Sequence, residues 1–185
     1  MQLVITQNIT LDGVVEATEG WFEPAGGEED TADMEEVLTG HMQDDEEGLV
    51  LGRRTFEDFR GYWPHQTDDT TGITAHLDRV EKYVVSSTMG DPAWQNSTVL
   101  SGDPVEEVAA LKARPGKDLV TTGSIELCHA LVAAGLVDEY RLFTYPVVIG
   151  RGRRLFPDGL DRLDLELVGS QRFRSGVVLS TYRPS

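Results

Sequence analysis

The sequence has little of what disulfide-linked, secreted or membrane-spanning proteins need. Its one cysteine, Cys128, can form neither an internal disulfide nor a cysteine-rich zinc site. No apolar stretch is long enough to span a membrane. The N-terminus lacks the basic segment and apolar core of a secretory signal. We therefore expect a cytoplasmic protein that does not bind membranes.

Positive charge is also scarce. The chain has 16 Lys and Arg residues and 32 Asp and Glu residues, which gives a net charge of −16. Nucleic-acid binding needs an excess of positive charge, so we expect no nucleic-acid partner. An anionic ligand would be repelled by the overall field, and its site would need local donors and cations. The four histidines lie far apart, with no H-x-x-x-H pair, and predict no metal site.

Apolar runs typical of strands alternate with segments of helical period along the chain, and the tail predicts a hairpin turning at Ser175-Gly176. This order predicts an α/β sandwich with a mostly parallel sheet and an antiparallel C-terminal hairpin. No repeat or linker is visible, so we expect residues 1–185 to form one domain. Thr55 and Asp58 make a T-x-x-D capping pattern, which predicts a helix starting there.

Two strand-to-helix junctions carry the strongest functional signal. An apolar strand ends at Gly52 in LVLGRRTFEDF and at Gly123 in LVTTGSIELCHAL, and a helix follows each glycine. Parallel strands place such junctions at one edge of the sheet, where ligands bind. Helix N-termini offer free N–H groups and a positive dipole end. The pair predicts a site for the two phosphates of a dinucleotide, although ordinary βα turns also use glycine.

These segments, with ITLDGVV, KYVVSSTM and GLVDEYRLFTYPVVIGRGRRLFP, resemble the dihydrofolate reductase-like superfamily. Within it they are most similar to the bacterial branch related to the reductase domain of the bifunctional riboflavin-biosynthesis deaminase/reductase. The resemblance covers nearly the whole chain. It implies a three-layer sandwich with a central sheet of about eight strands, NADPH as cofactor, and a homodimer. The zinc deaminase signature is absent, which excludes deamination.

The resemblance also implies which residues contact the cofactor. The GR-x-T loop would meet its phosphates and 2′-phosphate, a pair of serines its adenine ribose, and the glycine-containing loop its pyrophosphate. That last loop has one glycine, where the family often has two or three. The implied cofactor residues are Gly52, Arg53, Arg54, Thr55, Ser86, Ser87, Thr122, Gly123, Ser124 and Ile125.

The substrate side departs from dihydrofolate reductases, because Gly26 stands where they carry the acid that pairs with the pterin. We therefore expect negligible dihydrofolate reduction. Trp21 and Phe22 are candidate walls for a flat substrate ring. The proton donor is left open between an ordered water and four acids, of which Asp12 could equally make a local turn bond. The acids are Asp12, Glu28, Glu29 and Asp30.

Two hypotheses follow. The favoured one is an NADPH-dependent reductase that transfers a hydride to a small flat or carbonyl- or imine-bearing substrate, such as a pterin- or ribosylaminopyrimidine-like compound. The alternative is a non-catalytic dinucleotide-binding module that acts as a sensor or interaction domain. We expect Cys128 to be a buried small hydrophobe. The basic cluster GRGRR, residues 150–154, either meets a substrate phosphate or, as we favour, balances the acidic surface.

Overall fold

Eight strands lie side by side in one sheet in the computed structural model, which describes residues 1–18, 20–22, 31–44 and 46–185. Their order across the sheet is β4-β3-β2-β5-β1-β6-β8-β7. The strands are β1 Leu3–Thr10, β2 Glu46–Gly52, β3 Glu81–Val85, β4 Ser97–Leu100, β5 Asp118–Thr121, β6 Glu139–Tyr145, β7 Leu165–Arg172 and β8 Val178–Pro184. The α-helices of this described part are α1 Ala32–Asp44, α2 Arg53–Tyr62, α3 Ile73–Arg79, α4 Pro104–Lys112 and α5 Ile125–Ala133.

Strands β1 to β6 are mutually parallel, and β8 runs antiparallel to both β6 and β7. This confirms the predicted mostly parallel sheet with an antiparallel C-terminal hairpin. The hairpin turns within residues 173–177, where Phe173 and Val177 are joined by a backbone hydrogen bond of 2.9 Å. The turn includes Ser175 and Gly176, as the sequence predicts.

Helices cover both faces of the sheet, which gives three layers. Successive β1 residues point to opposite faces, so Leu3 and Ile5 pack with α4 and α5, while Val4 packs with α2 and α3. Met34 of α1 packs against Phe143 and Leu179, on strands β6 and β8. Apolar side chains on both faces of the central strands hold the strand ends in fixed relative positions, and those ends build the site.

Helix starts differ from one another in how their N–H groups are satisfied. Asp103 caps α4 as predicted, and its carboxylate accepts hydrogen bonds from the N–H groups of Val105 and Glu106 at 3.0 and 3.1 Å. Helix α2 begins at Arg53, and its N-cap is Gly52. The prediction that Thr55 and Asp58 form a capping pair is therefore wrong, because the Thr55 hydroxyl bonds to another loop.

The polar segment 64–78, which has no clear period in the sequence, begins inside a 3-10 turn at Trp63–His65 and ends inside the short helix α3. Among the described residues, no helix has the length and apolar character needed to cross a bilayer.

Candidate functional site

The two glycine junctions are neighbours, because β2 and β5 are adjacent in the sheet. The Gly52 N–H donates to Ser124 Oγ at 3.0 Å, and the Ser124 N–H donates to Thr55 Oγ1 at 2.9 Å. Each hydroxyl thus accepts a hydrogen bond from the other loop rather than from its own helix. The two junctions are therefore joined by hydrogen bonds at the carboxyl edge of the sheet, where the sequence predicts both to lie.

Gln7 fixes the second junction from the neighbouring strand β1. Its side-chain nitrogen donates to the Gly123 carbonyl at 2.7 Å, and its side-chain oxygen accepts from the Gly123 N–H at 3.1 Å. Only 3% of Gln7 is exposed, so this paired contact satisfies a buried amide. Our sequence reasoning missed Gln7, although an amide inside an apolar strand was a usable signal.

Gly123 has a local reason to be glycine. Its φ is +56°, and a Cβ there would lie 3.0 Å from Thr55 Cγ2 and 3.1 Å from Thr55 Oγ1. Positive φ is unfavourable for residues with a Cβ. The absent side chain therefore makes room for Thr55, and the contact of Gly123 with a pyrophosphate stays a prediction.

A cleft of about 860 Å3 opens at this edge. Its walls include the first turns of α2 and α5 (residues 53–55 and 125–127) and the segment 15–18 that follows β1. Of the predicted cofactor residues, the cleft brings together Gly52, Arg53, Arg54, Thr55, Gly123, Ser124 and Ile125. Residues that our sequence reasoning did not assign to this site also line it: Val15, Glu16, Ala17, Thr18, Asp58, Phe59, Val85, Pro104, Glu126, Leu127, Ala130 and Arg153.

The N-termini of α2, α4 and α5 all reach this cleft, but only α4 is capped by its preceding residue. Gly52 has no side chain, and the Ser124 hydroxyl bonds to Gly52 instead of its own helix. The first N–H groups of a helix have no partner within the helix. The starts of α2 and α5 therefore present N–H donors and positive dipole ends beside the cleft.

Three arginines line this cleft and balance the charge of its three acids, Glu16, Asp58 and Glu126, in a chain that is acidic overall. Arg53 and Arg54 are exposed at the start of α2, and Arg53 lies 3.6 Å from Glu57 one turn later. Arg153 reaches the cleft from the loop after β6. Pairing of β6 with β1 brings the loop of residues 150–154 to the site. Arg153 balances the acidic Glu16 there, and its contact with a phosphate stays a prediction.

Three predicted cofactor residues do not line the cleft: Thr122, Ser86 and Ser87. Ser86 is buried directly after β3, and its Oγ accepts from the Met89 N–H at 3.1 Å, as in a local turn. Ser87 is exposed and Thr122 is half-buried. Their contact with a cofactor stays a prediction.

Asp12 anchors the loop that carries Arg153. Its carboxylate accepts from the Thr10 hydroxyl at 2.6 Å and from the Gly150 N–H at 2.7 Å. These hydrogen bonds lower the Asp12 pKa to about 2, the Thr10 bond contributing most. Asp12 is not among the cleft-lining residues, and at neutral pH its carboxylate accepts hydrogen bonds. Its predicted role as a proton donor stays untested.

The substrate-side aromatics lie beside the cleft and not in its lining. Trp21 Nε1 donates to the Glu16 carbonyl at 2.8 Å, and its ring packs edge-on against Tyr145 at 5.6 Å. Phe22 contacts Trp21 and is 37% exposed. The candidate acids Glu28, Glu29 and Asp30 lie outside the described residues.

Cys128 is fully buried, and its Sγ lies 3.6 Å from both Gln7 Nε2 and the Gly123 carbonyl oxygen. Burial raises its pKa to about 11. A thiol that stays protonated is a poor nucleophile, which agrees with the expected role as a small hydrophobe. No three potential His, Cys, Asp or Glu ligands lie together within the described ranges.

Comparison with known proteins gives a family match and two curated relatives. A family model described as the RibD C-terminal domain matches residues 2–179. The uncharacterized protein YyaP of Bacillus subtilis is 31% identical over an alignment 189 positions long, which covers 98% of this chain and 94% of YyaP. The uncharacterized protein YwjB of the same organism is 24% identical over 178 residues, covering 95% and 94%.

Two solved structures share the fold. A putative riboflavin biosynthesis protein from Shewanella sp. PV-4 superimposes with a TM-score of 0.79 and 19% identity, over 100% of this chain and 99% of the other. A pyrimidine reductase-like protein from Corynebacterium diphtheriae has a TM-score of 0.68 and 16% identity, over 100% and 92%. The dihydrofolate reductase-like architecture predicted from the sequence is therefore confirmed.

Proposed function

This chain belongs to the RibD C-terminal domain family, and from that premise we propose that it is an NADPH-dependent reductase. It transfers a hydride to a small flat or carbonyl- or imine-bearing substrate, such as a pterin- or ribosylaminopyrimidine-like compound. The names of the two solved relatives, a riboflavin biosynthesis protein and a pyrimidine reductase-like protein, favour a reductase of this type.

One observation carries the proposal: the uncapped starts of α2 and α5 lie side by side in a cleft that also holds Arg53, Arg54 and Arg153. N–H donors, positive dipole ends and guanidinium groups are all suited to phosphate. A chain of net charge −16 would otherwise repel an anionic ligand. The volume of about 860 Å3 lies within the range of small-molecule and cofactor pockets.

Each part of the site then has a role. The first turns of α2 and α5 bind the pyrophosphate, and the Arg54 guanidinium binds the 2′-phosphate. NADPH supplies the hydride when bound. Apolar side chains at the cleft, among them Val15, Phe59 and Leu127, exclude water, and the rigid paired loops orient the reactants. Trp21 and Phe22 border the substrate. The proton comes from an ordered water or from an acid of the segment 28–30, because hydrogen bonds keep Asp12 ionised.

The same proposal includes a cytoplasmic homodimer with a small molecule as its substrate. Strand β7 is one of the two edges of the described sheet, and its residues Leu167 and Val168 are 53% and 45% exposed. An unpaired edge with exposed apolar side chains is suited to pairing with a second chain. We propose that β7 contributes to the dimer interface.

Calorimetric titration with NADPH and NADH, followed by hydride-transfer assays on pterins and ribosylaminopyrimidines, tests the proposal. We expect NADPH to bind at least about tenfold more tightly than NADH, and at least one substrate to oxidise it. NADPH binding without turnover across the panel would favour the non-catalytic module. If neither NADPH nor NADH binds, both hypotheses are contradicted, the reductase and the non-catalytic dinucleotide-binding module.

A further inference from the structure

Arg153 enters the cleft from a different part of the fold than Arg53 and Arg54. Its backbone is fixed to the segment after β1, because the Val15 N–H donates to the Arg153 carbonyl at 3.0 Å. The Arg153 side chain lies between two acids that also line the cleft, Glu16 and Glu126. Glu126 belongs to the first turn of α5.

The two acids hold Arg153 unequally. One Glu16 oxygen accepts from Arg153 Nε at 2.8 Å, and the other accepts from the Arg153 backbone N–H at 3.2 Å. The Glu16 backbone is itself held, because its carbonyl accepts from Trp21 Nε1 at 2.8 Å. Glu126 lies 3.7 Å from the guanidinium, too far for a direct hydrogen bond, and its side chain is 84% exposed.

We propose that Arg153 binds the pyrophosphate of the dinucleotide, that Glu16 orients its guanidinium, and that Glu126 is an internal anion competing with the pyrophosphate for it. This inference rests on the proposed function and deepens it. Glu126 is positioned to compete because it lies at the α5 start, where the same N–H donors attract phosphate. An exposed, long ion pair is weak, so a ligand with two charged phosphates displaces it.

The assignment to the pyrophosphate, rather than to the 2′-phosphate, follows from position. Arg153 contacts the first turn of α5, whereas Arg53 and Arg54 lie at the first turn of α2. NADPH and NADH share the pyrophosphate, and only NADPH carries the 2′-phosphate. Loss of Arg153 should therefore weaken both nucleotides by the same factor.

The test is calorimetric titration of the purified full chain with NADPH and with NADH. Arg153→Gln is expected to weaken both by about tenfold, as for the loss of one charge-assisted contact. Glu126→Gln is expected to tighten both by about threefold, the size of a weak exposed ion pair. In the double variant Glu126→Gln, Arg153→Gln this tightening should vanish, because the arginine for which Glu126 and the pyrophosphate compete is gone. In a protein that already carries Arg153→Gln, adding Glu16→Gln should cause no further loss of nucleotide affinity, because Glu16 acts by orienting Arg153.

Glu106→Gln is the matched control, because Glu106 is exposed in the first turn of the neighbouring helix α4. It changes the net charge equally and should leave both affinities unchanged. If Arg153→Gln weakens the binding of NADPH and not that of NADH, Arg153 contacts the 2′-phosphate and the inference is overturned. Unchanged affinities in Arg153→Gln, or a Glu126 effect that persists without Arg153, would also overturn it. If wild type binds neither nucleotide, it is the proposed function that fails. Thermal unfolding without nucleotide checks that each variant folds.

Discussion

The Ser124 N–H donates a hydrogen bond to Thr55 Oγ1 at 2.9 Å, across 69 positions of sequence. This bond joins the two loops that we assign to a dinucleotide, and it explains why Thr55 does not cap its own helix. A substitution that breaks this bond therefore disturbs both loops.

Arg54→Ala should reduce the preference for NADPH over NADH. Loss of a charge-assisted contact to the 2′-phosphate costs roughly 1.5–3 kcal/mol, which falls on NADPH alone. The ratio of the two dissociation constants, measured by titration, should shrink about tenfold or more. Arg162→Ala removes an exposed arginine paired with Asp164 and should keep the wild-type ratio. Equal affinities in the wild type would contradict the assignment.

Gly123→Ala should destabilise the fold. The φ of +56° and the Cβ contact of 3.0 Å to Thr55 Cγ2 together predict a loss of roughly 1–3 kcal/mol in the free energy of unfolding. Gly52→Ala is the control, because φ there is −70° and the nearest atom would lie 3.7 Å away. Urea unfolding should separate the two variants.

Thr55→Ser tests the origin of that loss, since it removes Cγ2 and keeps the hydroxyl that bonds to Ser124. The double variant with Gly123→Ala should recover part of the stability and retain the strain of positive φ. Equal stability of Gly123→Ala and Gly52→Ala would mean that the loop relaxes freely.

Asp12→Asn should weaken nucleotide binding and leave turnover at saturating substrate nearly unchanged. One amide oxygen cannot replace both carboxylate oxygens, which serve Thr10 and the Ile149 and Gly150 N–H groups, so the Arg153 loop would shift. With a pKa of about 2, Asp12 stays ionised from pH 5 to 9 and should contribute no limb to the pH–rate profile. Loss of turnover together with the alkaline limb, where a required proton donor loses its proton, would instead make Asp12 the proton donor.

Glu139→Gln should make the protein less stable and less sensitive to acid. Glu139 is 3% exposed and binds Arg141 and Arg183 at 2.7 to 3.0 Å. Burial raises its pKa, but these hydrogen bonds outweigh burial and bring the pKa below its usual 4.5. The ionised form therefore stabilises the fold above about pH 4.5, and this contribution is lost as the pH falls through the lowered value.

Breaking such a buried pair costs roughly 3 kcal/mol at pH 7, and the variant should lose less stability than wild type between pH 5 and 3. Urea unfolding across this range measures both effects. Glu166→Gln, on the exposed strand β7, is the control. An unchanged slope with pH would mean that other carboxylates govern acid unfolding.

Val168→Glu should convert the proposed dimer to a monomer, because it places a charge in the exposed apolar edge of β7. Sedimentation velocity measures the change in mass. Tyr62→Glu adds the same charge to a residue 55% exposed at the end of α2 and should leave the mass unchanged. If the wild-type protein sediments as a monomer at micromolar concentration, the proposed dimer is contradicted.

The family and the layered sheet could be read from the sequence because each depends on local patterns in chain order. The match over residues 2–179 and the strand order confirm both. Gly52 and Gly123 could be paired because parallel strands present their ends at one edge. Neither the bond between Thr55 and Ser124 nor the arrival of Arg153 could be foreseen, since both depend on which strands are adjacent. The sequence indicates that Gln7 is a buried amide, but it does not indicate that Gln7 bonds to the Gly123 backbone.

The adjacency of β5, β2 and β1 has a kinetic consequence. The contacts that build the cleft join residues 69 to 137 positions apart, so the site has high contact order and forms only after long loops have closed. A fragment lacking any of these three strands should bind no nucleotide. A bound dinucleotide should slow amide hydrogen exchange across the central strands together, because opening the site requires the sheet to open as one cooperative unit.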